Sequence, residues 1–297
     1  MSNKPRKMTL EKKHNLTGWA FLAPATFLIA VFSFWPMIKA LVLSFQTGKG
    51  RNMQMAGFTN YIRMFQDDVF IQSIKNTFFY FILQVPIMLV VALVLACILN
   101  KKDLRFKGFF RTMIFVPCTT SLVAYSIIFR SLFANNGLVN YVLVNIGILD
   151  KPYNFLTQPF AAKMVIILAL LWRWTGYNMV FFLSGLQNIE YSVYEAAKID
   201  GASAIQTFFK ITVPLLKPTI LLTAIMSTNG TLQLFDESVN LTDGGPANAS
   251  ISMSHYIYNL CFKYVPNFGY AAAMSFFILL LVAVLAFIQM RVGDKRD

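Results

Sequence analysis

Apolar residues along this chain gather into long runs separated by polar stretches, and run length is the first informative quantity. A helix needs about 20 apolar residues to cross the hydrocarbon core of a bilayer. Residues 18–45, 74–99, 109–133, 161–183, 219–235 and 270–290 meet or approach that length and predict six spans. The fifth run is the shortest and the most polar. Within lipid every backbone N–H and C=O must be paired inside its own segment, so the runs read as helices and not as sheet. An all-α integral membrane protein is the expectation.

Composition agrees. Of 297 residues, 57% are hydrophobic and 13% charged, whereas soluble domains carry about 25% charged residues. The net charge of +13 does not point to nucleic acid, because the basic residues flank the apolar runs. Lys4, Arg6, Lys7, Lys12 and Lys13 precede the first run, and Lys101, Lys102, Arg105, Lys107 and Arg111 follow the second. Lys198, Lys210 and Lys217 lie between the fourth and fifth, and Arg291, Lys295 and Arg296 close the chain. That side holds 16 basic residues against 7 on the other, which has Lys49, Arg51, Arg63, Lys75, Lys151, Lys163 and Lys263. The positive-inside rule then places both termini in the cytoplasm. The first run is too long for a signal-peptide core and is expected to remain as an uncleaved span.

Cys97, Cys118 and Cys261 contain no CxxC pair, and His14 and His255 are the only histidines. A disulfide framework and a metal site are not expected. No Gly-x4-Gly-Lys-Ser/Thr loop is present: Gly48-Lys49 is followed by Gly50, and Leu43 stands where the first glycine belongs. An intramembrane serine protease also fails on residue identity, because Ser184-Gly185 is preceded by Phe182 where a glycine is needed and neither histidine lies in a run. An ion-coupled secondary transporter is the rival by class; it predicts buried acidic pairs, and Asp236 and Glu237 fall only at the end of a span.

The fifth run is unlike a lipid-facing helix. Asn229, Gln233 and Asp236 recur at i, i+4 and i+7 with Thr231 nearby. Polar groups in a membrane face the bundle interior or water, so this face is expected to line a cavity. Trp174, Tyr177 and Asn178 cluster likewise in the fourth run. Aromatic faces beside neutral amides suit a sugar, whereas the plainer reading is interhelical bonding worth about 0.6 kcal/mol per pair. Arg173 is expected to serve structural pairing, Arg130 to snorkel, and Pro24, Pro86 and Pro117 to kink their helices.

Residues 191–218 predict two short helices meeting at a glycine corner. Ser192 and Glu195 have capping-box spacing. Asp200-Gly201 supplies a stop, Ser203 a new start, and Pro214 an interruption. The order Glu195-Ala196-Ala197, Gly201, Ile211 and Val213-Pro214 resembles the EAA signature of ABC importer permeases, with Val213 in place of the usual Leu. Trp172-Arg173-Trp174, Gly185-Leu186-Gln187, Phe235-Asp236-Glu237 and the 241–247 segment are similar to the carbohydrate branch, as are Phe58-Thr59-Asn60-Tyr61 and Asn76-Thr77.

The resemblance covers about residues 18–292 and implies a type I ABC importer permease fold of six transmembrane helices. It implies cytoplasmic tails at 1–17 and 293–297 and a coupling-helix loop at about 186–214. It implies that Glu195, Ala196, Ala197, Asp200 and Gly201 couple to a separate ATPase dimer, and that Trp174, Tyr177, Asn178, Asn229, Thr231 and Gln233 are candidates for sugar contact. The implied partners are that ATPase, a second homologous permease, an extracytoplasmic solute-binding protein and a carbohydrate. The implied location is the bacterial cytoplasmic membrane, and no cofactor is implied.

Overall fold

The computed structural model describes residues 9–49, 52–101 and 103–293. Of the tails expected at 1–17 and 293–297, residues 1–8 and 294–297, with Lys4, Arg6, Lys7, Lys295 and Arg296, lie outside the described residues, as do Arg51 and Lys102. Helix α1 (Leu10–Ser44) is followed by a hairpin of β1 (Gln46–Lys49) and β2 (Asn52–Met55), antiparallel with Gln46 opposite Met55. Then come α2 (Thr59–Met64), α3 (Asp68–Asn100), α4 (Lys107–Thr119), α5 (Leu122–Leu132), α6 (Leu138–Asn145) and α7 (Pro159–Gln187). The remainder is α8 (Tyr191–Ile199), α9 (Ala204–Leu215), α10 (Lys217–Leu232), α11 (Asp236–Asn240), α12 (Met253–Tyr258) and α13 (Phe268–Gly293).

Four of these helices are long and apolar enough to cross a membrane alone, and two bent pairs bring the number to six. The third span is not the single helix its apolar run predicts: α4 and α5 meet at 98°. Pro117 removes one backbone donor near the end of α4 and Thr120 is extended (ψ 152°), so the helix cannot propagate. The fifth run falls on α10, which meets the preceding α9 at a bend of 70°. Pro214 is not the break its sequence position predicts, because a π-helical turn, Phe208–Thr212, precedes it and the helix continues to Leu215. A second π turn, Ala30–Phe34, stands in the same relation to Pro36. The wider turn shifts carbonyls to new donors, so the proline's missing N–H costs less. Helices α1 and α3 run on unbroken through Pro24 and Pro86.

Helix α3 packs against α7 more extensively than any other pair. Ala92 and Ala96 of α3 are fully buried against Met179, Phe182 and Leu183 of α7. Small residues four apart let two membrane helices approach closely, which supplies dispersion contacts where lipid gives no hydrophobic drive. Gly176 does the same between α7 and α4, since a Cβ there would collide with the Ile114 carbonyl.

The motifs near the hairpin end are structural. The Asn60 amide donates to the carbonyls of Ser44 (2.9 Å) and Gln46 (2.8 Å). Asn76 donates to the carbonyls of Asn248 (3.2 Å) and Ile251 (3.0 Å), and the Tyr80 hydroxyl to that of Ser250 (2.9 Å), which fastens the 241–252 loop to α3. Asp67 caps α3 through the amides of Val69 and Phe70 and also accepts from the Tyr256 and Tyr270 hydroxyls at 2.7 and 2.8 Å. By contrast, no residue of α1 between Leu10 and Ile29 is buried, and Trp19 and Phe21 are 70% and 82% exposed. Among the described residues the far half of α1 packs along α13.

Candidate functional site

A cavity of about 320 Å³ lies between α3, α5, α7, α10 and the start of α11. Of the residues singled out from sequence, Trp174, Tyr177, Asn178, Thr231 and Gln233 line it. Asn229 lies on a separate groove with Ser254, Ile257 and Ser275, although it is hydrogen-bonded to Gln233. The i, i+4, i+7 spacing predicts one continuous helical face through Asp236, but α10 ends at Leu232. Beyond it the Leu234 carbonyl accepts from the Ser252 hydroxyl, so the chain can leave the helix without an orphaned acceptor. Asp236 still reaches the cavity, from the first turn of α11.

Trp174 and Tyr177 meet edge to face at 5.8 Å and form an aromatic wall. The polar lining is partly spoken for. Thr231 donates to Gln84 at 2.7 Å, and Ser227 donates to Asn178 at 3.2 Å. Gln84 and Ser227 were not read from the sequence. Gln84 had one available signal, a lone amide inside an apolar run, which lipid would not tolerate. Ser227 lies four residues before Thr231 on the same helix, which is a same-face spacing.

Arg173 sits behind this wall, 5% exposed. Its guanidinium donates to the carbonyl and hydroxyl of Thr120 (2.7 and 3.1 Å) and to the carbonyls of Cys118 (3.2 Å) and Pro117 (3.4 Å). All of these groups lie at the 98° corner, the negative end of the α4 dipole, where the Pro117 carbonyl also accepts from the Thr120 amide and hydroxyl. The guanidinium also lies over the rings of Tyr125 (4.8 Å) and Trp174 (5.2 Å). The Tyr125 hydroxyl donates to Glu237, which is 4% exposed on the cavity wall. Arg173 therefore pairs structurally, as expected, but with backbone.

At the opposite end, α8 and α9 form a hairpin. Ser192 and Glu195 do not make the expected capping box: Tyr191 is already helical, Glu190 occupies the cap position, and Ser192 is a first-turn residue bonded to Glu190 at 3.3 Å. The capping box forms on α9 instead. The Ser203 amide donates to the Gln206 side chain (2.8 Å), and the Gln206 amide to the Ser203 hydroxyl (3.3 Å). Gly201 has φ +76°, with Ala202 N–H bonded to the Ala197 carbonyl and Gly201 N–H to that of Lys198. That is a Schellman closure, which favours glycine at the left-handed position. Ala197 is buried, whereas Glu195, Ala196, Asp200 and Gly201 are exposed. So are Ile199 and Ile205, at 85% and 72%.

Comparison with known proteins assigns this architecture to a class. Residues 68–296 match the family described as binding-protein-dependent transport system inner membrane component. The lactose transport system permease protein LacF of Rhizobium radiobacter is 51% identical over 292 residues, 98% of each chain. The multiple sugar-binding transport system permease protein MsmF of Streptococcus mutans serotype c is 33% identical, over 97% of this chain and 99% of that one. Among solved structures, a bacterial alginate ABC transporter in complex with an alginate pentasaccharide-bound periplasmic protein superposes with a TM-score of 0.84 and 25% identity, covering 98% of both chains. The chain belongs to the family of binding-protein-dependent transport system inner membrane components. Its relatives are ABC permeases, and an ion-coupled secondary transporter is set aside.

Proposed function

We propose that this chain is the sugar-translocating membrane subunit of an ABC importer, with both termini in the cytoplasm. The relatives named for lactose and multiple-sugar transport support a carbohydrate substrate, and the cavity beside Trp174, Tyr177, Asn178, Thr231 and Gln233 is where it passes. A separate ATPase dimer supplies the energy, and its docking face is the α8–α9 hairpin. The observation that carries this reading is the hairpin itself. Large apolar side chains exposed beside charged residues at a rigid corner mark an interaction surface, and Ile199 and Ile205 stand on either side of Gly201. Glu195 does not serve as a helix cap and is free to meet that partner. Ala197, one helical turn from Gly201, is buried.

The first half of α1 supports a second permease subunit, since an aromatic helix with no residue buried among the described residues has a face to offer. A binding protein delivers the sugar at the hairpin-loop end. ATP binding closes the ATPase dimer, the α8–α9 corner transmits that closure to α7 and α10, and the cavity changes the side to which it opens. The test is affinity purification of the tagged chain from native membranes, followed by reconstitution. The expected result is an ATPase and a second permease in the eluate, and ATP-dependent lactose uptake when binding protein is added. Lactose uptake driven by a proton gradient, with the chain alone, would refute the proposal.

A further inference from the structure

The cavity has an electrostatic character that bears on which sugars can pass, and the inference rests on the cavity reading proposed above. Two carboxylates line it, Asp236 and Glu237, and no lysine, arginine or histidine does. The nearest buried cation, Arg173, points its guanidinium away, into the carbonyls of the 98° corner. Arg173 lies over the ring of Tyr125, whose hydroxyl donates to Glu237, so its charge is set against that carboxylate. Asp236 has no hydrogen-bond or ion-pair partner for its carboxylate among the described residues; its backbone carbonyl alone accepts, from Asn240. One negative charge therefore faces the cavity uncompensated.

We infer that Asp236, backed by Glu237, makes this cavity selective for uncharged sugars, excluding those that carry a carboxylate or phosphate. The aromatic wall covers the apolar face of a pyranose whatever its charge, and the amides of Gln84, Asn178 and Gln233 bond hydroxyls in either case. What differs between a neutral sugar and a sugar acid is the second like charge brought beside Asp236. Two like charges held in one partly dehydrated site cannot both stay ionised without a cation to share, and this wall offers none. Asp236 also accepts hydrogen bonds from sugar hydroxyls, so the same group that repels anions strengthens the binding of neutral sugars. The expected consequence is at least about a tenfold difference in affinity between matched neutral and anionic galactosides.

The test uses the purified complex in lipid nanodiscs without binding protein, so that selectivity upstream of the membrane is removed. Trp174 fluorescence reports occupancy, with Trp174→Phe as the blank. Lactose, lactobionate (its aldonic acid, with an open-chain gluconate) and lactitol (the neutral open-chain counterpart, expected to quench as lactose does) are titrated in turn. Lactose is expected to quench at concentrations at least about tenfold lower than lactobionate. Asp236→Asn should narrow that ratio, and Asp236→Glu, which keeps the charge, should restore it even if both variants are less stable. Equal quenching by lactobionate and the neutral ligands in the native chain, or a ratio indifferent to Asp236→Asn, overturns the charge selectivity while leaving the cavity in place. Quenching by none of these ligands overturns the cavity reading and the selectivity together.

Discussion

Replacing Arg173 probes the broken third span directly. Arg173→Met keeps the length of the side chain but removes every donor from the corner. The native guanidinium makes two well-formed charged bonds to backbone, at 2.7 Å to Thr120 and 3.2 Å to Cys118. Charged hydrogen bonds contribute about 1.5–3 kcal/mol each, so the gross loss is about 3–6 kcal/mol. Relief from keeping a guanidinium buried offsets roughly half of that, leaving about 1.5–3 kcal/mol. For a chain of this size that corresponds to a fall in melting temperature of roughly 2–5 °C. Arg173→Lys keeps a point charge but not the planar fork, so it should retain one carbonyl and lose about half as much. The assay is thermal unfolding of the purified complex in detergent, followed by size-exclusion recovery. Melting of Arg173→Met within about 1 °C of the native chain would show that the corner holds itself and that Arg173 acts elsewhere.

Other substitutions bear on separate parts of the account. Gly176→Ala forces α7 away from the Ile114 carbonyl and should cost about 1–3 kcal/mol by overpacking; unchanged melting would mean that α4 and α7 do not touch there. Ile205→Asp should leave insertion and melting intact, because the side chain is exposed, while reducing ATPase recovery in the pull-down by about tenfold. Full recovery would remove the hairpin from the docking surface. Burial of His255 against Ser238 pushes its pKa down to about 4, against the opposing pull of Asp243. Because the unfolded chain binds that proton more readily, stability should fall as pH drops from 6.5 towards 4 and be fully present above 6.5. His255→Gln should flatten the fall in pH-dependent melting, and an unaltered slope would assign it to another group.

The sequence made the spans legible because lipid imposes a length on apolar runs, and it made the hairpin legible because Gly201 and Ser203 each have a local reason to stand where they do. What it concealed was tertiary. The apolar character of residues 109–133 continues smoothly through the corner, and only the sequence Pro117-Cys118-Thr119-Thr120-Ser121, four small polar residues after a proline, hints at a break. The sequence carries the expectation that Arg173 pairs structurally but not its partners, carbonyls brought together only where α4 ends. The capping box moved from Ser192 to Ser203 because spacing alone does not say which residue is the first in helical conformation. Periodicity likewise placed Asp236 on α10, because it cannot foresee that Ser252, from a distant loop, satisfies the Leu234 carbonyl. The residues of the cavity were half visible: those on α7 and α10 announced themselves by clustering, whereas Gln84 is a single amide in the apolar stretch 78–99 of α3.

Everything in this account depends on the α8–α9 corner facing the compartment where ATP is hydrolysed. The decisive measurement is labelling of a cysteine introduced at Ile199, in a background where Cys97, Cys118 and Cys261 are replaced, with a membrane-impermeant maleimide. The account predicts no labelling in intact cells and full labelling in inverted vesicles, with protection when the ATPase is bound. Labelling from outside intact cells would contradict it, because no motor in the cytoplasm could reach the corner.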